Sequence, residues 1–334
     1  MIKASAVFII IKREYVIPIY VSNFCVMNKK VKGYILAAIS AATYGMNPLF
    51  ALPLYAGGMD LFSVLFFRYL FAIPILAVML KLRGRSFSIT KTDITPLLIL
   101  GILFAMSSIT LFSSYNFMDA GIASTILFVY PIMVAVIMYL FFKEKISKIT
   151  MLCIAIALIG IVLLCRSGEG AVISTKGLLF VFGSALSYAI YIVYLNKSKI
   201  KDMATIKVTM YVLIVGWFIF ATRALITGEL NVPSSEQWYL WCNILALSIF
   251  PTIISLICTT EAIQCIGSTP TAILGVLEPV TAVFFGVLIF DEVLTPRIIL
   301  GLVLVICSVT LVVAEGKLGI VILKLRKMFP KKKS

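Results

Sequence analysis

The chain of 334 residues contains no histidine, and only 13% of its residues are charged. Without histidine, zinc sites with imidazole ligands and catalytic sites of the Ser-His or Cys-His type are excluded. The sequence also lacks a GxxxxGK[ST] motif, the phosphate-binding loop of many nucleotide hydrolases. An enzyme would have to rely on carboxylates, lysine or tyrosine, which are scarce in the apolar segments. We therefore predict that the protein is not an enzyme and that it holds no cofactor and no metal.

The seven cysteines form no CxxC pair. Most of them fall inside apolar segments, where a free cysteine behaves as a small apolar residue. We interpret them as packing residues.

Apolar residues dominate the composition, with 62% hydrophobic residues and a mean hydropathy of +1.11. A soluble protein of this length could not keep so much apolar surface away from water. Runs of about 20 apolar residues recur, and this length crosses a bilayer as a helix. Because each backbone polar group in lipid must be satisfied within its own segment, the runs predict an all-α membrane protein. We expect ten transmembrane helices, at residues 33–53, 61–80, 96–116, 121–141, 149–165, 177–195, 206–226, 238–259, 270–290 and 297–315.

The chain contains an internal duplication. A Lys-Gly pair, a Ser-Ala pair and a tyrosine follow at the same spacing in residues 32–44 and 176–188, an offset of 144. Proline and glutamate recur together at an offset of 148, at Pro131, Glu144, Pro279 and Glu292. Since five predicted spans separate the two copies, the second copy enters the membrane from the opposite side. We predict two inverted five-helix repeats, at residues 33–166 and 177–315.

The loops alternate between basic and acidic ones, and short basic loops stay in the cytoplasm. The basic set includes Lys29, Lys30, Lys32, Lys81, Arg83, Arg85, Lys143, Lys148, Lys197 and Lys199. The acidic set includes Asp60, Asp119, Glu229, Glu236, Asp291 and Glu292. We therefore expect a multi-pass protein of the cell (inner) membrane with both termini in the cytoplasm. One exception is the loop near Glu261, which is predicted to be inside but has no Lys or Arg.

Both ends of the chain are predicted to lie outside the repeats. Residues 1–32 form a cytoplasmic leader, with translation starting at either Met1 or Met27, and residues 316–334 form a basic cytoplasmic tail. The apolar run at residues 4–11 is too short to span, and no small-residue cleavage site follows it. The net charge of +15 is explained by a cytoplasmic fringe that faces anionic lipid, so we predict no nucleic-acid partner.

The order of features in each half resembles a known family. A proline early in a span is followed by a glutamate at its end, a short turn and a Gly/Ala-rich span, first from Pro131 to Cys165 and again from Pro279. This order resembles the EamA-type transporters of the drug/metabolite transporter superfamily, over about residues 33–315. The resemblance implies ten spans, alternating access and transport of small organic metabolites. Exporters of amino acids are among the members of that family.

Polar side chains inside the spans are candidates for a substrate pathway, because they are costly in lipid. In the first span and its copy, polar residues share one helix face at matching spacing: Ser40, Tyr44 and Asn47, with Ser184, Tyr188 and Tyr191. The third and eighth spans carry similar stripes: Ser107, Thr110 and Ser114, with Ser248, Thr252, Ser255 and Thr259. Pro48 is expected to bend the helix beside Asn47. These stripes either line the pathway or join helices through hydrogen bonds and close packing.

Two charged residues, Arg68 and Glu278, lie well within predicted spans. Glu278 takes the position that Tyr130 has in the first half, and it is a candidate for binding a substrate amine or a coupling proton. Arg68 is a candidate for binding a carboxylate or phosphate. The alternatives are a structural bond near a helix end for Glu278 and an outward-reaching side chain for Arg68. A cation and a carboxylate in one tyrosine-lined cavity would suit a zwitterion such as an amino acid.

The predicted pathway residues are thus Tyr44, Asn47, Arg68, Ser107, Tyr130, Tyr188, Tyr191, Ser255 and Glu278. The predicted function is secondary transport of a small organic metabolite, with export of an amino acid as a particular case. The alternatives are a flippase for a lipid or lipid-linked carrier and a membrane enzyme or structural subunit. The expected partners are a small-molecule substrate and membrane lipid, and the coupling ion stays open.

Overall fold

The computed structural model describes residues 29–143, 148–165, 174–200, 203–266, 271, 274–275, 277–308 and 310–311. These residues form helices that are joined by short loops. The predicted leader up to residue 28, Glu144 and the predicted tail at residues 316–334 lie outside the described residues.

The helices of the described residues follow one another along the chain as α1 (Lys29–Gly45), α2 (Asn47–Ala56), α3 (Leu61–Leu82), α4 (Lys91–Ser114), α5 (Ala120–Leu127), α6 (Tyr130–Phe142), α7 (Lys148–Cys165), α8 (Thr175–Lys197), α9 (Thr205–Thr227), α10 (Trp238–Ser248), α11 (Ser255–Ile266), α12 (Leu277–Phe290) and α13 (Pro296–Ser308). A π-helical segment, Ile249–Ile254, joins α10 to α11. Several of these helices combine into longer membrane-spanning segments.

Seven segments of the described chain are long and apolar enough to cross a membrane: Lys29–Ala56, Leu61–Leu82, Lys91–Ser114, Ala120–Phe142, Thr175–Leu195, Thr205–Thr227 and Trp238–Thr259. They match seven of the ten predicted spans. Shorter apolar helices at Met151–Leu163, Leu277–Phe290 and Pro296–Ser308 coincide with the other three. Large apolar side chains such as Phe141 and Leu225 are exposed on the outside of the bundle, as lipid contact requires. The chain is a multi-pass α-helical membrane protein.

Proline interrupts the first span where the sequence predicts a bend. α1 ends at Gly45 and α2 begins at Asn47, one residue before Pro48. Because Pro48 has no N–H group, the carbonyl of Tyr44 loses its usual helical partner. The Asn47 side-chain amide donates a hydrogen bond to that carbonyl, with an N–O distance of 2.8 Å. The break is therefore compensated locally, as a membrane interior demands.

The same solution recurs at the π-helical segment. Pro251 leaves the carbonyl of Leu247 without its usual partner, and the Thr252 hydroxyl donates to that carbonyl at 3.1 Å. The fourth span is interrupted at Phe128 and Val129, just before Pro131. The breaks in these three spans lie next to a cavity inside the bundle, whose lining includes Tyr44, Pro131 and Pro251.

One end of the bundle is marked by a basic cluster around a single carboxylate. Lys32 and Arg83 each form an ion pair with Glu261, with N–O distances of 3.5 Å. The loop near Glu261, which has no basic residue of its own, thus lies beside two members of the predicted cytoplasmic set. This contact places the loop at the same end of the bundle as those two basic residues.

The other end carries an acidic cluster. Asp60 caps the start of α3 by accepting hydrogen bonds from the N–H groups of Phe62 and Ser63 at 3.0 and 3.4 Å. Arg223 pairs with Asp60 at 3.5 Å and with Glu229 at 3.9 Å. Since α3 has 22 residues, the two clusters are separated by a helix about 33 Å long.

The two halves of the chain pack against each other through several pairs of helices. α1 lies along α11, α4 along α8, α3 along α9 and α5 along α12, so every one of these contacts joins an early helix to a late one. Close approach of α1 and α12 occurs at Gly45, where an added Cβ would lie 2.8 Å from the Cβ of Thr281. This crossing holds the break in the first span next to the start of α12.

Candidate functional site

A cavity of about 550 Å³ lies inside the bundle. Helices α1, α3, α4, α5 and α6 contribute lining residues from the first half, and α8, α9, α11, α12 and the π-helical segment contribute from the second. Its volume falls within the range of about 300–1,000 Å³ that is typical of small-molecule sites. The cavity is therefore large enough for a metabolite and is shared between the halves.

Seven of the nine predicted pathway residues line this cavity: Tyr44, Arg68, Tyr130, Tyr188, Tyr191, Ser255 and Glu278. They come from six different helices, so the fold brings together residues that are up to 234 positions apart in the sequence. Asn47 and Ser107 are not among the described residues that line it. Their use in a pathway stays a prediction.

Arg68 lies on α3 and is buried, with 5% of its surface exposed. Its Nε donates a hydrogen bond to the hydroxyl of Thr252 at 3.1 Å. The guanidinium carbon lies 5.2 Å from the centre of the Phe112 ring, a cation–π contact. The Arg68 carbonyl accepts a hydrogen bond from Ser248 at 3.0 Å, which fixes the backbone as well. The side chain thus faces the cavity and does not reach outward to the surface.

Glu278 lies in the first turn of α12, directly before Pro279. It interacts electrostatically with three tyrosines that share the cavity, Tyr44, Tyr130 and Tyr188. Tyr44 also interacts with Arg68, so this hydroxyl lies within electrostatic reach of both side chains. The arginine and the glutamate therefore face one cavity, as the sequence-based hypothesis of a zwitterion site requires.

An aromatic wall covers one side of the cavity. The rings of Tyr130 and Tyr188 meet edge to face, with centroids 4.8 Å apart. Tyr188 and Tyr191 are stacked at 5.8 Å, and Tyr191 in turn meets Phe104 at 5.7 Å. Rings in these arrangements stabilise one another and present flat faces to a ligand. Such a wall can contact either an apolar group or a cationic nitrogen.

The serine stripes form two similar contacts between helices. Ser40 on α1 donates to the carbonyl of Ser255 on α11 at 2.8 Å and also contacts the Ser255 hydroxyl and Thr259. Ser184 on α8 donates to the carbonyl of Ser107 on α4 at 2.8 Å, and their hydroxyls lie 3.0 Å apart. The first pair lines the cavity, whereas the second pair joins α4 to α8.

Some lining residues carry no strong signal in the sequence. Phe104, Leu127 and Thr209 line the cavity, as do Thr271 and Gly275 on the approach to α12. Thr209 is a polar residue inside an apolar span, which is a weak signal that could have been followed. Phe104 and Leu127 are ordinary apolar residues of their helices. Only the packing of the helices shows that these two side chains face the cavity.

The fold and the cavity define a class of protein, a multi-pass helical membrane protein with an internal cavity that both halves of the chain line. The EamA-like transporter family matches residues 31–166 and 175–314. The chain belongs to this family, in agreement with the resemblance found in its sequence.

Three relatives illustrate the match. Uncharacterized transporter PM1281 of Pasteurella multocida is 30% identical over 303 residues, which covers 86% of this chain and 97% of that protein. Uncharacterized transporter YoaV of Bacillus subtilis is 25% identical over 286 residues, or 83% and 91% of the two chains. An uncharacterized transporter of Clostridium kluyveri is 23% identical over 284 residues, or 82% and 91%.

A protein of known crystal structure has the same fold. It is 14% identical to this chain, and the superposition covers 85% of this chain and 95% of the other with a TM-score of 0.59. At this identity the likeness concerns the fold alone.

Proposed function

We propose that the protein is a secondary transporter that moves a small organic metabolite across the membrane by alternating access. The observation that carries the proposal is the cavity of about 550 Å³, whose lining comes from both halves of the chain. Movement of one half against the other would expose such a cavity to one side of the membrane at a time. Export of an amino acid is the particular case we propose, since an arginine and a glutamate face the cavity.

Ten spans in two inverted five-helix repeats are part of the proposal. The repeats at 33–166 and 177–315 are supported by the two serine contacts, because Ser40 corresponds to Ser184 and Ser107 corresponds to Ser255. Each contact joins the first helix of one repeat to the third helix of the other. This exchange of partners is what a two-fold relation between the repeats produces.

We also propose that both termini lie in the cytoplasm and that the protein resides in the cell (inner) membrane. The ion pairs of Glu261 with Lys32 and Arg83 support this orientation. They place the loop near Glu261, which has no basic residue of its own, at the basic end of the bundle. Membrane lipid is then the surrounding partner, and a role in nucleic-acid binding or catalysis is not proposed.

Thermal unfolding of the purified protein against a panel of amino acids and other metabolites tests the function. A ligand that binds only the folded state raises the melting temperature by mass action. We expect a stabilising metabolite whose effect is lost in Glu278→Gln and weakened in Tyr188→Phe. Tyr239→Phe is the matched control, because Tyr239 is 45% exposed and lies outside the cavity. The same metabolite is expected to move across proteoliposome membranes that contain the protein.

The panel also includes lipids, because a flippase is the alternative. If a lipid stabilised the protein and no soluble metabolite did, lipid flipping would replace the proposed function. A stabilising metabolite that binds equally well to the wild type and to Glu278→Gln would show that Glu278 takes no part in its binding.

A further inference from the structure

Arg68 differs from the other cations of the described chain in its surroundings. With 5% of its surface exposed, it is buried more deeply than the other cations among the described residues. Arg83 and Arg223 form ion pairs near the ends of the bundle. Among the described residues, no carboxylate forms an ion pair with Arg68. A buried cation without a counter-ion is costly, so a fold that retains one has a use for its charge.

The guanidinium of Arg68 has donors to spare. Of the five N–H donors of an arginine side chain, the Nε–H bonds to Thr252. Neither terminal nitrogen forms a hydrogen bond to another described residue, while the side chain lines the cavity. The two terminal nitrogens provide a planar pair of donors, which matches the two oxygens of a carboxylate.

The π-helical segment holds this guanidinium in place. The Thr252 hydroxyl donates to the Leu247 carbonyl at 3.1 Å and accepts the bond from Arg68 Nε at 3.1 Å. On the other side, the Phe112 ring lies 5.2 Å from the guanidinium carbon. Wide helical turns of this kind occur often at functional sites. Here the turn fixes the orientation of Arg68, so little freedom has to be lost when a ligand binds.

We propose that Arg68 is the anion subsite of the cavity and that the transported metabolite carries a carboxylate, which pairs with the terminal nitrogens of the guanidinium. Glu278 faces the same cavity and is available to another polar group of the metabolite. This inference rests on the proposed transport function and narrows its substrate to carboxylates, including zwitterionic ones.

Benzoate and benzamide provide a probe pair for this subsite. They have nearly the same size and shape, and only benzoate carries the charge. With the full chain in detergent at matched ionic strength, we expect benzoate in excess to raise the melting temperature by about 2–4 °C and benzamide to raise it much less. Arg68→Gln is expected to abolish the benzoate effect. Arg223→Gln is the matched control, because Arg223 lies at the acidic end of the bundle, and this variant should respond like the wild type.

Thr252→Val keeps the charge of Arg68 but removes the hydroxyl that orients it. We expect benzoate to raise the melting temperature of this variant by less than that of the wild type. This variant provides the test if Arg68→Gln folds poorly.

Equal stabilisation by benzoate and benzamide, or a benzoate effect that persists in Arg68→Gln, would contradict the assignment of Arg68 as the anion subsite.

A transport assay separates the two proposals. In proteoliposomes, equal transport rates for metabolites with and without a carboxylate would refute the anion subsite but would still support the transporter function. Binding of benzoate that depends on Arg68, without transport of any metabolite in the panel, would support the subsite and refute the transporter function. Transport restricted to carboxylates and lost in Arg68→Gln is the result expected from both.

Discussion

The carboxylate of Glu292 accepts a hydrogen bond from the backbone N–H of Ala120, with an O–N distance of 2.7 Å. Its two oxygens also accept from the N–H of Gly121 at 3.3 and 3.2 Å. Helix α5 is therefore capped by a residue that follows α12, whereas Asp119 at the start of α5 makes no capping hydrogen bond with its side chain. The contact ties α5, which ends at the cavity residue Leu127, to the far end of the helix that begins beside Glu278.

Loss of this cap should destabilise the fold. We expect Glu292→Ala to lower the free energy of unfolding by about 1–2 kcal/mol, because the first N–H groups of α5 lose their acceptor. Unfolding in detergent, followed by circular dichroism, measures the change. Glu229→Ala is the control, since Glu229 is exposed and only forms a long ion pair with Arg223, and a change within about 0.5 kcal/mol is expected there. Equal effects of the two substitutions would contradict the capping role.

Glu292 should also make stability depend on pH. It lies in the loop between α12 and α13, where burial raises the pKa of its carboxyl to about 7; nearby Asp119 adds to this, and the N–H bonds from Gly121 and Ala120 oppose it. The folded state therefore binds the proton more tightly than the unfolded chain does. The resulting stability is fully present below the unfolded pKa of about 4.3 and is lost as pH rises through the folded pKa.

We accordingly expect the melting temperature of the wild type to fall, relative to Glu292→Gln, as pH rises from about 5 to 8. The glutamine variant cannot titrate at this position, so the difference between the two curves isolates Glu292 from the other groups. Curves that run parallel across this range would mean that Glu292 keeps one charge state throughout.

Local rules explain which parts of the site could be predicted from the sequence. The spacing of four and then three residues correctly placed Tyr188 and Tyr191 on one face, and both line the cavity. Pro48 correctly predicted the break after Gly45. The missing N–H group of proline removes a hydrogen bond within its own helix, so the effect does not depend on how that helix packs. The length of the apolar runs correctly predicted seven of the spans, because each helix satisfies its own backbone hydrogen bonds in lipid.

Contacts between distant segments could not be predicted in this way. Nothing near Glu292 in the sequence indicates that it caps α5, which precedes it by about 170 residues. The stripe on α4 could equally have lined a pathway or joined helices, because serine serves both uses. Only the packing of α4 against α8 places Ser107 next to Ser184. Phe104 likewise became a lining residue through the position of α8.

The hydrogen bond from Asn47 to the Tyr44 carbonyl should matter only while Pro48 is present. We expect Asn47→Leu to lower the free energy of unfolding by about 1–2 kcal/mol, because it leaves a carbonyl unpaired inside the bundle. In a Pro48→Ala background, the restored N–H of residue 48 can bond to the Tyr44 carbonyl. The same Asn47→Leu change should then cost much less.

A double-mutant cycle over Asn47 and Pro48, measured by thermal unfolding, gives this difference directly. Independent, additive effects would mean that Asn47 stabilises the break by some route other than the carbonyl that Pro48 frees. The cycle requires that all four proteins remain monodisperse in detergent, which size-exclusion chromatography checks.

Gly45 and Gly183 offer a matched pair for testing how tightly α1 packs against α12. A Cβ at Gly45 would lie 2.8 Å from the Cβ of Thr281 and would press on the Glu278 carbonyl, so α12 would have to move. We expect Gly45→Ala to cost about 1–3 kcal/mol of unfolding free energy and to weaken ligand binding, because the start of α12 carries Glu278. At Gly183 the nearest described atom is the Cγ2 of Thr110 at 3.8 Å, so Gly183→Ala should be neutral or stabilise the helix by up to about 1 kcal/mol. Thermal unfolding of both variants, with and without a stabilising ligand, measures the two effects. If the Gly45→Ala protein were as stable as Gly183→Ala, α1 and α12 would be packed less closely than the short distances at Gly45 imply.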